Sequence, residues 1–384
     1  MNKKKINFKL KILLAFYLDF IILINMTITK KSSLNIRNLN SANIIYLNIT
    51  GYDYQKVLEP DFIPYLEISL LNGQKAEIND TGYIYIKENK KNNLTLIFKN
   101  SLESLDYIFY SSECIIDIDL TNFDSSEIIS MNGMFLNCIN LNKIIFNNFD
   151  TSSVIEMNSM FENCNALASL DLSNFNTSLV ESMDRMFVNC ENLNVLDLSN
   201  FKTPNLYSMY EMFFGCTSLK EIYLTNMDTT SVTNMGYLFF ECNALTSLDI
   251  SNFKANNLLA SYYMFGDCLS LTSLNLSNFY TIKLRDAEGM FFFFFSLIYL
   301  DISNFDTSVI EYMDFMFCNC MSLISLNLSS FVINNVATEY FFYNCYALKT
   351  VNFNNNIYMF PYFADHMFSY CNSLTELDLS ILFF

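Results

Sequence analysis

The chain has 384 residues, of which 52% are hydrophobic and 16% charged, with only 8 glycines and 4 prolines. This composition is typical of a packed protein and excludes an intrinsically disordered one. The formal net charge of −17 at pH 7 argues against a nucleic-acid partner, because binding to phosphates requires the opposite sign.

The segment 1–31 has the opposite character from the rest of the chain. Its seven lysines against the single acid Asp19 give a net charge of +6, and it includes the mainly apolar stretch from Ile12 to Met26. A basic start followed by a short apolar stretch predicts a secretory signal peptide at residues 1–29, and so a secreted or cell-surface protein. The alternatives are an uncleaved signal anchor, which would be the only predicted membrane contact, and a fortuitous apolar start.

Residues 30–93 contain short runs with the character of β-strands. They lie at 44–49, 66–71 and 83–86, and polar turns such as Asn72-Gly73 separate them. This pattern predicts strands joined by tight turns. We interpret the segment as a β-rich N-terminal cap for the repeats that follow, and the alternative is a separate small β-domain.

The cysteines recur along the chain with a nearly constant period, and the usual interval is the 26-residue step from Cys138 to Cys164. The series is Cys114, Cys138, Cys164, Cys190, Cys216, Cys242, Cys268, Cys320, Cys345 and Cys371, and Phe294 stands where one more would fall. A fixed period of this length is the signature of a solenoid, in which each unit buries its apolar face against its neighbours.

The first half of each repeat has the spacing of a helix face. In the clean copy VIEMNSMFENCNALASLDLSNF, Met157, Met160, Phe161 and Cys164 lie at i, i+3, i+4 and i+7. These positions share one side of an α-helix. This half therefore predicts one short helix per repeat.

The second half has the period of a strand. Leu170 and Leu172 alternate with polar residues, so both leucines would point to one side of a sheet. We predict an α/β solenoid over residues 94–384, with one short parallel strand and one short helix in each of about eleven 26-residue repeats.

The repeat strings resemble those of a known family. MFENCNALASLDLSNFNTS and MFVNCENLNVLDLSNFKT resemble the BspA-like leucine-rich-repeat surface proteins in their 26-residue MFxxCxxLxxLDLSNFDTSxVxxM form, over about three quarters of the chain. The resemblance implies a leucine-rich-repeat solenoid, secreted or at the cell surface, with a role in adhesion or host interaction.

One residue of each strand points outward between the two inward residues. These outward positions are mostly acidic, and the candidate binding residues are Asp119, Asp171, Asp197, Tyr223, Asp249, Asp301 and Asp378. They predict binding of a protein or cell-surface macromolecule, and the other interpretation is a solvated face that charge keeps soluble. The alternative function is a structural or coat protein that self-associates through its solenoid ends, since the C-terminal residues 381–384 are apolar.

The chain offers little for catalysis. Its one histidine, His366, occupies an outward position of the repeat, and no spacing typical of a metal or cofactor site occurs. We predict no enzyme activity, no cofactor and no metal. The recurring cysteines form a structural ladder of buried thiols that act as small hydrophobes, and the ladder is Cys138, Cys164, Cys190, Cys216, Cys242, Cys268, Cys320, Cys345 and Cys371. Cys318, which is off the period, is predicted to be the most exposed.

Overall fold

A computed structural model describes residues 43–99, 101–276, 278–333, 336–353 and 363–377. The predicted signal segment, Asp378 and the apolar C-terminal residues lie outside this range. In the described part, no helix is long and apolar enough to cross a membrane.

The described residues form fourteen strands and one 3₁₀ helix, Pro60–Tyr65. The strands are β1 (Asn43–Ile49), β2 (Asp53–Lys56), β3 (Leu66–Leu71), β4 (Gln74–Lys75), β5 (Tyr83–Ile86), β6 (Asn92–Phe98), β7 (Ile115–Asp119), β8 (Lys143–Ile145), β9 (Val195–Asp197), β10 (Glu221–Tyr223), β11 (Ser273–Asn275), β12 (Tyr299–Asp301), β13 (Ser325–Leu328) and β14 (Thr350–Phe353).

Four of the six N-terminal strands join the sheet of the repeats, and the other two, β2 and β5, pair with each other. The strand order is β4-β3-β6-β1-β7-β8, and β1 pairs antiparallel with β7, the first repeat strand. The predicted boundary at residue 93 falls inside β6 (Asn92–Phe98). One continuous sheet therefore runs from the N-terminal segment into the first two repeats.

The repeats stack as a solenoid with parallel strands on one side. In this part of the chain, β7 pairs with β8, β9 with β10, β11 with β12, and β13 with β14, all parallel. Eight of the about eleven predicted strands are assigned, those at Leu170–Leu172 and Leu248–Ile250 are not, and the last, at 377–379, lies partly outside the described residues. The inward residue Leu172 and the pair Leu248 and Ile250 are nevertheless buried, so the alternation of burial persists where the ladder of strand pairs is interrupted.

The prediction of one short helix per repeat is wrong. No α-helix occurs in the described residues, and the backbone N–H groups of alternate residues bond to the next repeat. Those of Ser159, Phe161 and Asn163 donate to carbonyl oxygens of the following repeat, at N···O distances of 2.8, 2.9 and 2.7 Å. An α-helix would instead use these donors for carbonyls one helical turn earlier in the same segment.

Two left-handed residues per repeat explain this conformation. In the clean copy Ser159 has φ of 54° and Asn163 has φ of 60°, values that an α-helix does not allow. Met157, Met160, Phe161 and Cys164 are fully buried all the same. The apolar spacing was therefore interpreted correctly for burial, and it does not distinguish a helix from this chain of turns.

The turn side carries the more continuous ladder. Parallel bridges link one residue per repeat, and the series is Ser104, Ser130, Glu156, Ser182, Ser208, Asn234, Ala260, Asp286, Tyr312, Ala337 and Phe363. Side-chain amides reinforce it, because Asn163 Nδ2 donates to Asn137 Oδ1 at 2.7 Å and Asn189 Nδ2 to Asn163 Oδ1 at 2.8 Å. In the sequence, these amides are marked by the asparagine that recurs directly before the cysteine. Asparagine tolerates a left-handed backbone at this position.

Two more columns hold the interior together. Buried threonines bond reciprocally to the next repeat: Thr177 Oγ1 donates to the Lys202 carbonyl and accepts from the Lys202 N–H, both at 3.0 Å. Phenylalanine rings form a stack along the core, with neighbouring centroids 5.3–5.9 Å apart and planes inclined by 5–17°. Each repeat is thus joined to the next by hydrogen bonds and by ring contacts.

Candidate functional site

The outward residues of the repeat strands form a surface that we call the acidic strip. It comprises Asp119, Asp171, Asp197, Tyr223, Asp249 and Asp301; all are exposed except Asp119, which is half-buried. Register places Asp197 beside Tyr223 and Asp301 beside Asn275, at the spacing of about 4.8 Å between neighbouring strands. The remaining predicted member, Asp378, lies outside the described residues.

Each strip aspartate also has a structural role. Oδ1 of Asp171 accepts the N–H of Ser173 at 3.0 Å. The equivalent contacts of Asp197 and Asp249, each with the serine two residues later, measure 2.9 and 3.0 Å. Such a contact closes the turn that follows the strand. The recurrence of aspartate is therefore explained in part by turn geometry.

The same kind of contact lowers the pKa of strip aspartates and so favours their ionised form. Hydrogen bonds from the hydroxyl and the backbone N–H of Ser173 lower the pKa of Asp171. Equivalent bonds from Ser199 lower the pKa of Asp197. Because a carboxyl with a lowered pKa in the folded chain favours folding only while it is ionised, this small contribution is lost as the pH falls through the folded-state pKa.

The acidic strip continues into the N-terminal sheet. Tyr46 of β1 lies between Thr95 of β6 and Asp119 of β7, and Asp119 pairs with Ile145 of β8. The row that contains Asp119 therefore continues through paired strands to Tyr46 and Thr95. Sequence reasoning missed this extension, because the pairing of β1 with β7 leaves no mark in either segment.

A second row runs parallel to the first. Asn48 lies between Asn93 and Asp117, and Asp117 pairs with Lys143. Together with Tyr46, Asp119 and the Asn72-Gly73 turn, these residues line a groove of about 570 Å³, which we call the junction groove. The alternation of Tyr46 and Asn48 with buried residues in β1 is the signal that marks them as outward-facing.

An ion cluster on the turn side was also missed. Arg185 donates to both carboxylate oxygens of Glu162, at 2.6 and 3.0 Å, and also to Glu211. Glu162 is 4% exposed and Glu211 is 1% exposed. Burial raises the pKa of Glu211, and the charge of Arg185 acts against that rise.

The nine ladder cysteines are bonded to the preceding repeat. Each donates its thiol proton to the carbonyl oxygen of a phenylalanine in the preceding repeat, at 3.0–3.3 Å. All are free thiols, and all but Cys371 are buried. Burial raises the pKa of Cys138 and of Cys216 to about 12.

The expectation that Cys318 is the most exposed cysteine is wrong. Its side chain is buried, with 4% exposed, and its Sγ accepts a hydrogen bond from Asn319 Nδ2 at 3.1 Å. Cys371 is instead the cysteine of intermediate exposure. A position off the period therefore did not indicate a position on the surface.

This arrangement predicts the thiol reactivity of the folded chain. Cys371 should react with Ellman's reagent first and the other ten should be protected, because the reagent cannot reach a thiol that is buried in the folded chain. Unfolding without reductant should release all eleven. In a Cys371→Ser variant, the fast phase of the reaction with Ellman's reagent should be absent. Rapid modification of Cys318 in the folded protein, or fewer thiols after unfolding, would contradict the structure.

His366 is not arranged for catalysis. Its ring stacks on Tyr340 with centroids 5.0 Å apart, and its Nδ1 lies 3.2 Å from Ser369 Oγ. Cys371, the nucleophile that a Cys–His pair would need, donates to the Phe342 carbonyl instead. Among the described residues, no group of histidine, cysteine, aspartate and glutamate could hold a metal ion.

Two family models match the chain. One is described as a Mycoplasma protein of unknown function, DUF285, and matches residues 103–222 and 189–296. The other is described as a BspA type leucine rich repeat region in six copies and matches residues 263–382. Together they cover the chain from residue 103 to residue 382.

Several solved structures are similar at low identity. A leucine-rich repeat protein from Bacteroides ovatus is 18% identical, with 74% of this chain and 71% of that chain covered and a TM-score of 0.48. A leucine rich cell surface protein from Faecalibacterium prausnitzii is 17% identical, with 73% and 83% covered and a TM-score of 0.35. A chain of the Drosophila Toll–Spatzle complex is 16% identical, with 60% and 37% covered and a TM-score of 0.27. No curated protein matches the chain.

Proposed function

Because this chain belongs to the BspA-type leucine-rich-repeat proteins, we propose that it is a non-enzymatic, secreted or cell-surface protein that binds a macromolecular partner through the acidic strip. The observation that carries the proposal is the strip itself. Its carboxylates recur at the strand spacing on an exposed sheet face, and hydrogen bonds that lower the pKa of Asp171, Asp197, Asp249 and Asp301 favour their ionised form.

The partner that fits this surface is a protein with a basic face. A row of like charges on a rigid sheet attracts the opposite charge and fixes the register of binding. Apolar side chains next to the strip can add affinity, since Tyr299 is 63% exposed and Ile298 is 52% exposed. Exposed aromatic anchors beside charged residues are typical of the energetic centre of a protein interface.

The proposal is tested by removing four strip charges together. Asp171, Asp197, Asp249 and Asp301 are each changed to asparagine, which can keep the turn contact, as Asn327 does when its Oδ1 accepts the Ser329 N–H at 3.1 Å. We expect adhesion to intact cells and retention on an immobilised basic protein to weaken at least about tenfold, while the thermal stability changes little.

A matched control exists at another column of the same solenoid. Asp124, Asp150, Asp228 and Asp306 each accept the N–H two residues later, away from the sheet face. Changing these four to asparagine removes the same amount of charge, and asparagine can keep the turn contact here too, as Asn176 does when its Oδ1 accepts the Ser178 N–H at 3.1 Å. If adhesion and retention weakened equally in the two quadruple variants, net charge, and not the acidic strip, would govern binding.

The alternative of a coat protein assembling through its ends receives less support. Head-to-tail assembly needs two open ends, and β1 occupies the free edge of the first repeat strand β7. The outermost strand of that sheet, β4, has two residues and includes Lys75, which is a feature of protected sheet edges. We therefore propose that residues 43–99 cap the solenoid.

A further inference from the structure

The junction groove differs in chemistry from the acidic strip that it adjoins. Its volume of about 570 Å³ lies within the range of about 300–1,000 Å³ that is usual for small-ligand sites. Its floor is built by β6, β1, β7 and β8, so paired strands position most of the side chains that line it, and the Asn72-Gly73 turn forms one rim.

The charges in the groove cancel. Asp117 Oδ2 accepts from Lys91 Nζ at 2.8 Å and from Asn48 Nδ2 at 2.9 Å. Lys143, which lines the groove and pairs in register with Asp117, carries a second positive charge, so the formal charges of Asp117, Asp119, Lys91 and Lys143 sum to zero. A site with no net charge does not select a basic or an acidic ligand, and it favours a neutral one.

Several polar groups of the groove are available to a ligand. Within the described residues, the Tyr46 hydroxyl, the Asn93 side-chain amide and the Lys143 ammonium form no hydrogen bond, and the Tyr46 side chain is 39% exposed. Asp119 uses Oδ1 for the Thr121 N–H at 2.9 Å, which leaves Oδ2 as an acceptor. An amide supplies donors and an acceptor, a carboxylate supplies acceptors, and a tyrosine supplies a flat apolar face.

An extended peptide is a poorer match. A peptide that adds a strand needs a sheet edge with unpaired backbone groups. The strands at the centre of the floor have neighbours on both sides, β6 between β3 and β1, and β1 between β6 and β7. Binding here must therefore use side chains.

We propose that the junction groove binds a neutral saccharide, with a pyranose ring stacked on Tyr46 and its hydroxyls bonded to Asn93 and Asp119. A pyranose has an apolar C–H face and a rim of neighbouring hydroxyls that both donate and accept. These features match the tyrosine ring and the amide and carboxylate beside it. This site shares Asp119 with the acidic strip, but it depends on Tyr46 and Asn93, which the test of the acidic strip leaves unchanged, so either proposal can be correct without the other.

The test is calorimetric titration of the full-length chain with defined probes. The neutral probes are maltotriose, cellotriose, mannotriose and triacetylchitotriose, and the charged probes are trigalacturonate and trilysine. We expect saturable binding of at least one neutral trisaccharide, and Tyr46→Ala or Asn93→Ala should weaken it at least about tenfold. Tyr46→Phe keeps the ring and should retain most of the affinity, which separates lost stacking from misfolding.

The control variant is Tyr52→Ala, since Tyr52 is a 61% exposed tyrosine of the same cap that does not line the groove. It should change the affinity less than about twofold. The proposal is overturned if no neutral trisaccharide binds at about 10 mM, if Tyr46→Ala binds as the native chain does, or if a charged probe binds in the groove more tightly than every neutral one.

Discussion

Replacing Phe187 with alanine is expected to lower the free energy of unfolding by about 3–5 kcal/mol. Its ring is fully buried and stacks between Phe161 and Phe213, with centroid distances of 5.5 and 5.6 Å. The change removes two ring contacts and leaves a cavity that neighbouring repeats cannot fill, because both sides of it are held by hydrogen bonds between repeats. Urea unfolding followed by circular dichroism measures the loss.

The matched control is Phe363→Ala. Phe363 is 50% exposed, and surface substitutions of this kind usually change stability by less than about 0.5 kcal/mol. Since a solenoid is stabilised mainly by contacts between neighbouring repeats, Phe187→Ala should also make unfolding less cooperative. A loss below about 1 kcal/mol would mean that the ring stack contributes little to stability.

Replacing Arg185 with methionine is expected to cost about 3–5 kcal/mol at pH 7. The guanidinium joins two carboxylates from different repeats, and Glu162 and Glu211 are both almost fully buried. Without it, two buried negative charges would face each other with no counter-ion. The penalty comes from the charges that are left behind, and not from the intrinsic strength of the pair.

The pH dependence of this variant follows from Glu211. Burial already raises its pKa in the native chain, and Arg185 opposes the rise, so removing Arg185 raises the pKa further. A carboxyl with a raised folded-state pKa favours folding below its unfolded pKa, and that contribution is lost as the pH rises through the folded-state pKa. The free energy of unfolding of Arg185→Met should therefore lie closer to that of the native chain at about pH 5 than at pH 7.

Arg285→Met is the control for this experiment. Arg285 pairs with Glu311, and the two side chains are 61% and 51% exposed. A solvated pair of this kind is worth about 0–1 kcal/mol. If both arginine variants lowered the free energy of unfolding by the same small amount, the Glu162–Arg185–Glu211 cluster would not be acting as a buried ion group.

Much of the solenoid could be predicted from the sequence alone. The 26-residue period identified the repeat unit, and the apolar spacing identified buried residues such as Phe161 and Leu172. The alternation in the strands identified the outward aspartates. These features are local, because burial within a repeated unit follows from which residues recur at which spacing.

The tertiary structure decided the features that depend on pairing between segments. The turn conformation of the Met157–Cys164 half arises because its N–H groups bond to the next repeat, and no single repeat contains those partners. Arg185 meets its two glutamates through the stacking register of three repeats. Tyr46 reaches Asp119 through an antiparallel pairing of segments that are distant in the sequence. Apolar periodicity indicates which side of a segment is buried. Hydrogen-bond partners and neighbouring columns depend instead on how the segments pack together. For this reason the junction groove could be identified only in the folded chain.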